Sequence, residues 1–226
     1  MKHMTKLHPT KAAAQPHHDY LPAAGQDAFL PFYDLLTAVL GAATVHRTLI
    51  DQAGLAAWQC VLEIGCGTGN LSVRVKRAHP GVELIGSDPD PLALARAQRK
   101  ARDLTGIRFE HGYAQQLPYP DASFDRVLSA LMLHHLDHDT KAAAAAEVFR
   151  VLRPGGSLHL ADFTGQKHGI HGLLAQRVVR FGHLASNLDE GIPRLLAAAG
   201  LDCAEVATHR HPVMCQVTYY RAIRPA

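Results

Sequence analysis

Up to residue 26 the chain shows no sustained hydrophobic period. Pro, His and Ala dominate there, and residues 1–25 read as a flexible leader. From Asp27 apolar residues recur at helical spacing (Phe29, Phe32, Tyr33, Leu35, Leu36, Val39, Leu40) until Gly41. A shorter helix over 44–53 sets Val45, Leu49 and Ile50 on one side before Gly54. Then the rhythm changes. Short apolar runs at 60–64, 82–87, 107–110, 124–130, 157–162, 201–207 and 214–222 predict strands. Helical patterns over 70–78, 91–104, 141–151 and 192–199 fall between them, and Pro154, Gly155 and Gly156 predict a turn into the strand at 157. Such alternation predicts a parallel sheet with helices on both faces, an α/β fold. No internal repeat or long linker divides it, so one domain over 26–226 with an N-terminal helical cap is expected.

Composition narrows this little. A length of 226 residues suits one α/β domain, and 47% hydrophobic with 19% charged residues is ordinary for a folded protein. The net charge of +3, with Arg scattered and no basic run, is too small to argue for a nucleic-acid partner. Cys60, Cys66, Cys203 and Cys215 form no CxxC pair and read as free thiols in a reducing compartment. No apolar segment has the length of a signal peptide core or a membrane span, and the cytosol is the expected location. The sixteen histidines invite a metal reading. Yet His17 with His18, His134 with His135, and His168 with His171 each lack a companion set of acids or thiols, so no metal is expected.

The stretch VLEIGCGTGN, residues 61–70, places three glycines at the end of the first strand and the start of a helix. In an open α/β sheet that position is where ligands bind. Gly65, Gly67 and Gly69 are expected to let backbone N–H groups face a ligand without Cβ atoms in the way. The helix N-terminus behind them favours negative charge. The dinucleotide pattern GxGxxG is not met, because Asn70 stands where its third glycine would, and no Lys follows to make a phosphate loop. The plain alternative is a tight turn. Asp88, just after the second strand in IGSDPD, is placed to accept both hydroxyls of a ribose, while Asp90 suits a helix cap. That acid alone does not separate NAD from other adenosine ligands.

Four ordered stretches over residues 59–163 carry a more specific signal: VLEIGCGTGN, ELIGSDPDPLALARAQ, GYAQQLPYPDASFDRVLSALMLHHL and EVFRVLRPGGSLHLADF. Together they resemble the class I S-adenosylmethionine-dependent methyltransferases, nearest to the enzymes of ubiquinone and menaquinone biosynthesis and their small-molecule relatives. FYDLLTAVLG is similar to that family's lid helix. The resemblance implies a Rossmann-like, mostly parallel seven-stranded sheet whose last strand is antiparallel. It implies a helical lid over 26–56, a cofactor-binding half over 57–163 and an acceptor-shaping part over 164–226. It implies S-adenosylmethionine as cofactor, with Gly65, Cys66 and Gly67 lining its methionine portion. Glu63 would bind the loop or the methionine amine, Asp88 the ribose, Pro89 and Ala114 the adenine with Gln115 beside them, and Leu131 would lie near the sulfonium. Tyr113 stands where the family often has an Asp that accepts from the adenine amine.

Methyl transfer from a sulfonium is an in-line displacement that needs positioning and exclusion of water more than covalent help. A base is required only where the acceptor must lose a proton. His134 and His135, just past the fourth strand, are candidates for it. Asp162 orients an acceptor or caps the following segment. Phe29 and Tyr33 are candidate lid contacts to substrate. Residues 164–186, with Leu173, Leu174, Val178, Val179, Phe181, Arg177 and Arg180, suggest a partly apolar acceptor pocket or a surface for a membrane or a second copy in a homodimer. A non-catalytic domain retaining the fold, favoured by Tyr113, is the main competing reading. A nucleotide-dependent oxidoreductase is disfavoured by Asn70. A nucleic-acid methyltransferase is disfavoured because LMLHHL stands where a flipped base would need an Asn/Asp-Pro-Pro-aromatic segment.

Overall fold

A computed structural model describes residues 42–164, 191–211 and 215–226. The expected leader, the helix after Asp27 with Phe29 and Tyr33, and the segment from 165 to 190 lie outside the described residues. The elements in chain order are α1 (Ala42–Ala53), β1 (Cys60–Ile64), α2 (Asn70–Ala78), β2 (Glu83–Asp88), α3 (Pro91–Lys100), β3 (Ile107–His111) and β4 (Phe124–Ala130). A 3-10 turn (Leu133–His135), α4 (His138–Val151), β5 (Leu152–Phe163), α5 (Gly191–Ala198), β6 (Asp202–His211) and β7 (Cys215–Ile223) follow.

The seven strands form one sheet in the order β3-β2-β1-β4-β5-β7-β6. Strands β1 to β5 pair in parallel, and β7 runs antiparallel to both β5 and β6. The chain builds outward from β1 to β3 and then returns to lay β4 against the other side of β1. That reversal leaves a crevice over the carboxyl ends of β1 and β4. Ser129 fastens its floor by donating to the Ile64 carbonyl at 3.1 Å.

Both faces of β1 are covered, which is why its run is continuously apolar around Glu63. On one face Leu62, Val127, Leu158 and Tyr220 pack with Ala144, Ala145 and Val148 of α4 and Ile192 and Leu196 of α5. On the other, Val61, Leu84, Leu128 and Tyr219 pack with Val45, Leu49 and Ile50 of α1. Leu62 is fully buried, and its truncation to Ala would cost about 2–5 kcal/mol.

Element ends follow local chemistry. Asp90 caps α3, its Oδ1 accepting from Leu92 and Ala93 N–H at 2.8 and 3.1 Å, with Pro91 at the first helical position. Asp137 caps α4 by accepting from Thr140 N–H at 2.8 Å, so that helix starts at His138 and not at 141. The turn expected at 154–156 lies within β5, which begins at Leu152. The register against β4 jumps from Phe124↔Leu152 to Arg126↔Ser157, and the intervening residues bulge. The bulge is paired, not free: Gly155 N–H donates to Arg224 O and Arg224 N–H to Gly156 O, each at 2.9 Å.

Candidate active site

The glycine loop leaves β1 at the centre of the crevice. Its N–H groups are not turned toward a ligand as expected. Those of Gly65 and Cys66 both donate to Ser87 O, at 2.9 and 3.1 Å, and that of Gly67 donates to Asp88 Oδ2 at 2.7 Å. The parallel pairing of β1 with β2 simply continues past the strand ends and uses them. What the loop presents is bare Cα surface, and the three glycines differ in why they are bare. A Cβ on Gly65 would run into the Met132 side chain. One on Gly69 would lie 2.8 Å from Ala97 Cβ and 3.1 Å from Phe109 Cζ. Around Gly67, whose φ is +50°, a Cβ would meet no atom of the described residues within 4 Å. Two of the glycines serve packing among the described residues, and Gly67 does not.

Cys66 is buried with its sulfur tucked over Gly86, and burial pushes its thiol well above the ordinary range, so it is inert filling. Lys100, at the end of α3, donates to Thr68 Oγ1 at 2.9 Å and to Asn70 Oδ1 at 2.8 Å, tying the loop from outside.

Two carboxylates lie beneath. Asp88 accepts from Gly67 N–H through Oδ2 and from Asp90 N–H through Oδ1, at 2.7 and 2.9 Å. Burial raises its pKa against the pull of those two bonds. Glu63 is buried and accepts from the Ser72 hydroxyl at the start of α2. Burial, with Asp88 nearby, pushes Glu63 up to about 8. A buried pair of acids of this kind is stabilised by a cationic guest. Beside Asp88, Gly112 N–H donates to Asp88 O at 3.2 Å, and a Cβ on Gly112 would sit 2.6 Å from Ser87 Oγ. This close approach brings the loop carrying Tyr113, Ala114 and Gln115 to the acid. Ala114 is buried, Tyr113 and Pro89 are half-buried, and Gln115 is exposed.

The far wall is a corner between β4 and β5. Leu131 takes φ +55°, a left-handed conformation that costs a non-glycine residue about 1–2 kcal/mol, and so throws the chain into the 3-10 turn. Asp162, fully buried at the end of β5, accepts from His134 N–H at 3.1 Å and lies 2.7 Å from His134 Nδ1. Phe163 N–H adds a third bond to it at 2.7 Å. The residue read as an acceptor contact or a cap thus holds a histidine. The His135 ring lies 4.0 Å from that of His134, tilted by 40°, and burial of the imidazole, with His134 beside it, lowers its pKa to about 4.

The structure thus brings Glu63, Gly65, Cys66, Gly67 and Asp88 together where β1 and β2 end, with Pro89 next in the chain and the loop of Ala114 and Gln115 beside Asp88, and sets Leu131, His134, His135 and Asp162 where β4 and β5 end, Met132 reaching from there to Gly65; Phe29 and Tyr33 lie outside the described residues. Sequence reasoning missed Ser72, Ser87, Lys100 and Met132, which reach the loop from other elements and carry no local pattern. Among the described residues no three His, Cys, Asp or Glu side chains gather to hold a metal ion, and no helix is long and apolar enough to cross a membrane.

Comparison with known proteins agrees with this geometry. A family model described as a methyltransferase domain matches residues 61–156. The demethylmenaquinone methyltransferase of Deinococcus radiodurans is 40% identical over 166 residues, covering 69% of this chain and 68% of that protein. The 27-O-demethylrifamycin SV methyltransferase of Amycolatopsis mediterranei is 37% identical over 62% of this chain and 52% of its own length. Phosphoethanolamine N-methyltransferase 2 of Haemonchus contortus, solved with S-adenosyl-L-methionine, shares the fold with a TM-score of 0.67 at 15% identity, over 81% of this chain and 53% of that one. A bare glycine loop over paired acids, on this sheet order and in this company, has one reading: the chain belongs to the class I S-adenosylmethionine-dependent methyltransferases, close to the ubiquinone and menaquinone group, and transfers methyl groups to a small-molecule acceptor.

Proposed function

We propose that the cofactor lies across the glycine loop with its ribose on Asp88 and its methionine portion over Gly67, and that the acceptor is a ring system carrying a hydroxyl or quinol group. The observation that carries this is the Asp88 carboxylate bonded to the N–H of Gly67, the loop glycine at which an added Cβ would meet no atom of the described residues. Each carboxylate oxygen of Asp88 has a lone pair left after its backbone bond, enough for two ribose hydroxyls. Pro89, Ala114 and Gln115 flank the adenine, with Tyr113 supplying an aromatic edge where a carboxylate would otherwise read the amine. Gly65 and Cys66 line the site through main-chain surface. Glu63 with Asp88 forms an anionic floor suited to a cation, and binding draws Glu63 toward its ionised form. Leu131 borders the sulfonium.

S-Adenosylmethionine supplies a methyl group on a good leaving group; the protein's contribution is to align the acceptor with it. Such alignment is worth up to about 7–11 kcal/mol of the barrier. The acceptor class follows the relatives, which are named for a demethylmenaquinone and a demethylrifamycin. In this reading residues 26–56, with Phe29 and Tyr33, close over the site as a lid, 164–226 shape the acceptor pocket, and 1–25 form a leader. The protein works in the cytoplasm, without nucleic acid, as a monomer or homodimer.

Calorimetry with S-adenosylmethionine, S-adenosylhomocysteine and NAD tests the cofactor assignment. Micromolar binding of the first two and none of NAD is expected. Tight NAD binding would refute it.

A further inference from the structure

We propose that His134 is the group that takes the acceptor's proton, that Asp162 holds it in the reactive tautomer, and that the acceptor is consequently a phenol, enol or hydroquinone and not an amine or thiol. This rests on the methyltransferase reading and goes beyond it by naming the residue pair and the chemistry it selects.

The argument begins at Asp162. Its side chain is wholly buried, accepts from two backbone donors, His134 N–H at 3.1 Å and Phe163 N–H at 2.7 Å, and lies 2.7 Å from His134 Nδ1. A carboxylate that already accepts from two N–H groups has only lone pairs to offer the ring, which places the ring hydrogen on Nδ1. In a neutral imidazole that leaves Nε2 bare. Nε2 has no partner among the described residues, and it is not one of the buried polar atoms left unsatisfied. That leaves Nε2 as the ring nitrogen with a lone pair to offer an acceptor. The ring cannot turn away: two of the three Asp162 bonds fix its own residue, and the rings of His135 and Phe163 lie 4.0 and 4.8 Å from it.

Place matters as much as protonation. His134 stands two residues beyond Met132, whose side chain fills the room beside Gly65. The strained Leu131 turn thus sets the imidazole on the loop that borders the cofactor's methionine end. The other titratable groups facing this corner are His135 from the same turn, Lys141 from α4 and Tyr220 from β7, the last two sensing the Asp162 charge. The partner held against Nδ1 is Asp162 Oδ1, at 2.7 Å.

The step balances as follows. The acceptor's O–H proton passes to Nε2 while the oxygen electron pair forms the bond to the methyl carbon. The carbon–sulfur bond breaks with its electrons going to sulfur, leaving a neutral thioether. The positive charge that was on sulfur ends on the imidazolium, which later gives its proton to water. For a hydroquinone methylated at carbon, the same proton goes to Nε2, the ring carbon makes the bond, and that carbon's hydrogen then moves to the oxygen. An amine or thiolate has a lone pair ready and no use for this base.

Two measurements test the pair on the full chain. Nitrogen-15 NMR of labelled protein saturated with S-adenosylhomocysteine should show His134 as the Nδ1–H tautomer at neutral pH, and Asp162→Asn should convert it to Nε2–H. With 1,4-naphthohydroquinone as probe acceptor, His134→Gln should lower kcat by about 10²–10⁴-fold, with the cofactor KM and S-adenosylhomocysteine affinity almost unchanged. A wild-type Nε2–H tautomer would overturn the proposal. So would a His134→Gln rate close to wild type, or preferential methylation of benzylamine or thiophenol by the wild-type enzyme. Loss of S-adenosylhomocysteine binding by the wild type would instead strike the underlying cofactor reading.

Discussion

Adding one methyl group at Gly67 separates ligand space from packing space more sharply than any other change in this site. Gly67→Ala introduces a Cβ where no atom of the described residues lies within 4 Å, so their packing adds nothing to the cost of φ +50° on an L-residue. That cost is about 1–2 kcal/mol, which for a domain of this size lowers Tm by about 2–8 °C. The new methyl occupies the volume assigned to the cofactor, and inserting a carbon into a filled contact costs about 1–3 kcal/mol. S-Adenosylhomocysteine affinity should therefore fall by about 5- to 150-fold. Gly69→Ala is the control. Its Cβ would press on Ala97 Cβ at 2.8 Å and on Ala97 Cα and Phe109 Cζ at 3.1 Å, at φ +77°. Backbone and a ring edge cannot both yield, so its strain adds to the φ cost and Tm should fall by roughly twice as much. Its affinity, measured well below Tm, should change less than that of Gly67→Ala. Thermal unfolding and calorimetry on the two variants, side by side, decide the matter. Wild-type affinity in Gly67→Ala would refute the placement of the cofactor over that residue.

Two other predictions concern the buried charges. Asp88→Asn keeps the shape but weakens the charge-assisted bonds, and cofactor affinity should fall by about 10- to 100-fold, at about 1.5–3 kcal/mol for the charged hydrogen bonds at stake; calorimetry showing no change would remove Asp88 from the ribose. His159, buried in β5 with its Nδ1 unpartnered, is held by burial, with Arg126 and Arg221 nearby, down to about 3. Because that lies below the ordinary 6.5, its neutral form carries stability above pH 6.5 that is lost as pH falls toward 3. Replacing it with Gln should make the protein gain about 2 kcal/mol relative to wild type on going from pH 7.5 to pH 5, read from urea unfolding at both pH values; parallel pH curves would contradict it. Glu63 works the other way: raised to about 8, it carries stability below pH 4.5 that disappears as pH rises through 8, so wild-type curves alone mix the two.

The alternation of strand and helix, the glycine loop and Asp88 could all be read from residue order, because each is a local event. A central parallel strand is apolar throughout, a helix cap needs an acid one residue before the helix, and a loop close to a ligand needs small residues. The start of α4 at His138, three residues before the expected 141, is equally local and is set by the Asp137 cap. The pairing of Pro154, Gly155 and Gly156 inside β5 was not local, since Arg224, near the chain's end, completes it.

Residue order by itself settled that this is a doubly covered α/β sheet with an adenosine-type site at its centre. It could not say which of three glycines are needed for packing, since that depends on Met132, Ala97 and Phe109 arriving from other elements. Nor could it say that Asp162 grips His134, because the two are joined only where β4 and β5 end side by side. Patterns along a chain report the period of its own backbone. The direction of a proton or the emptiness of a space is set by atoms far away in sequence, and only the folded sheet brings those together.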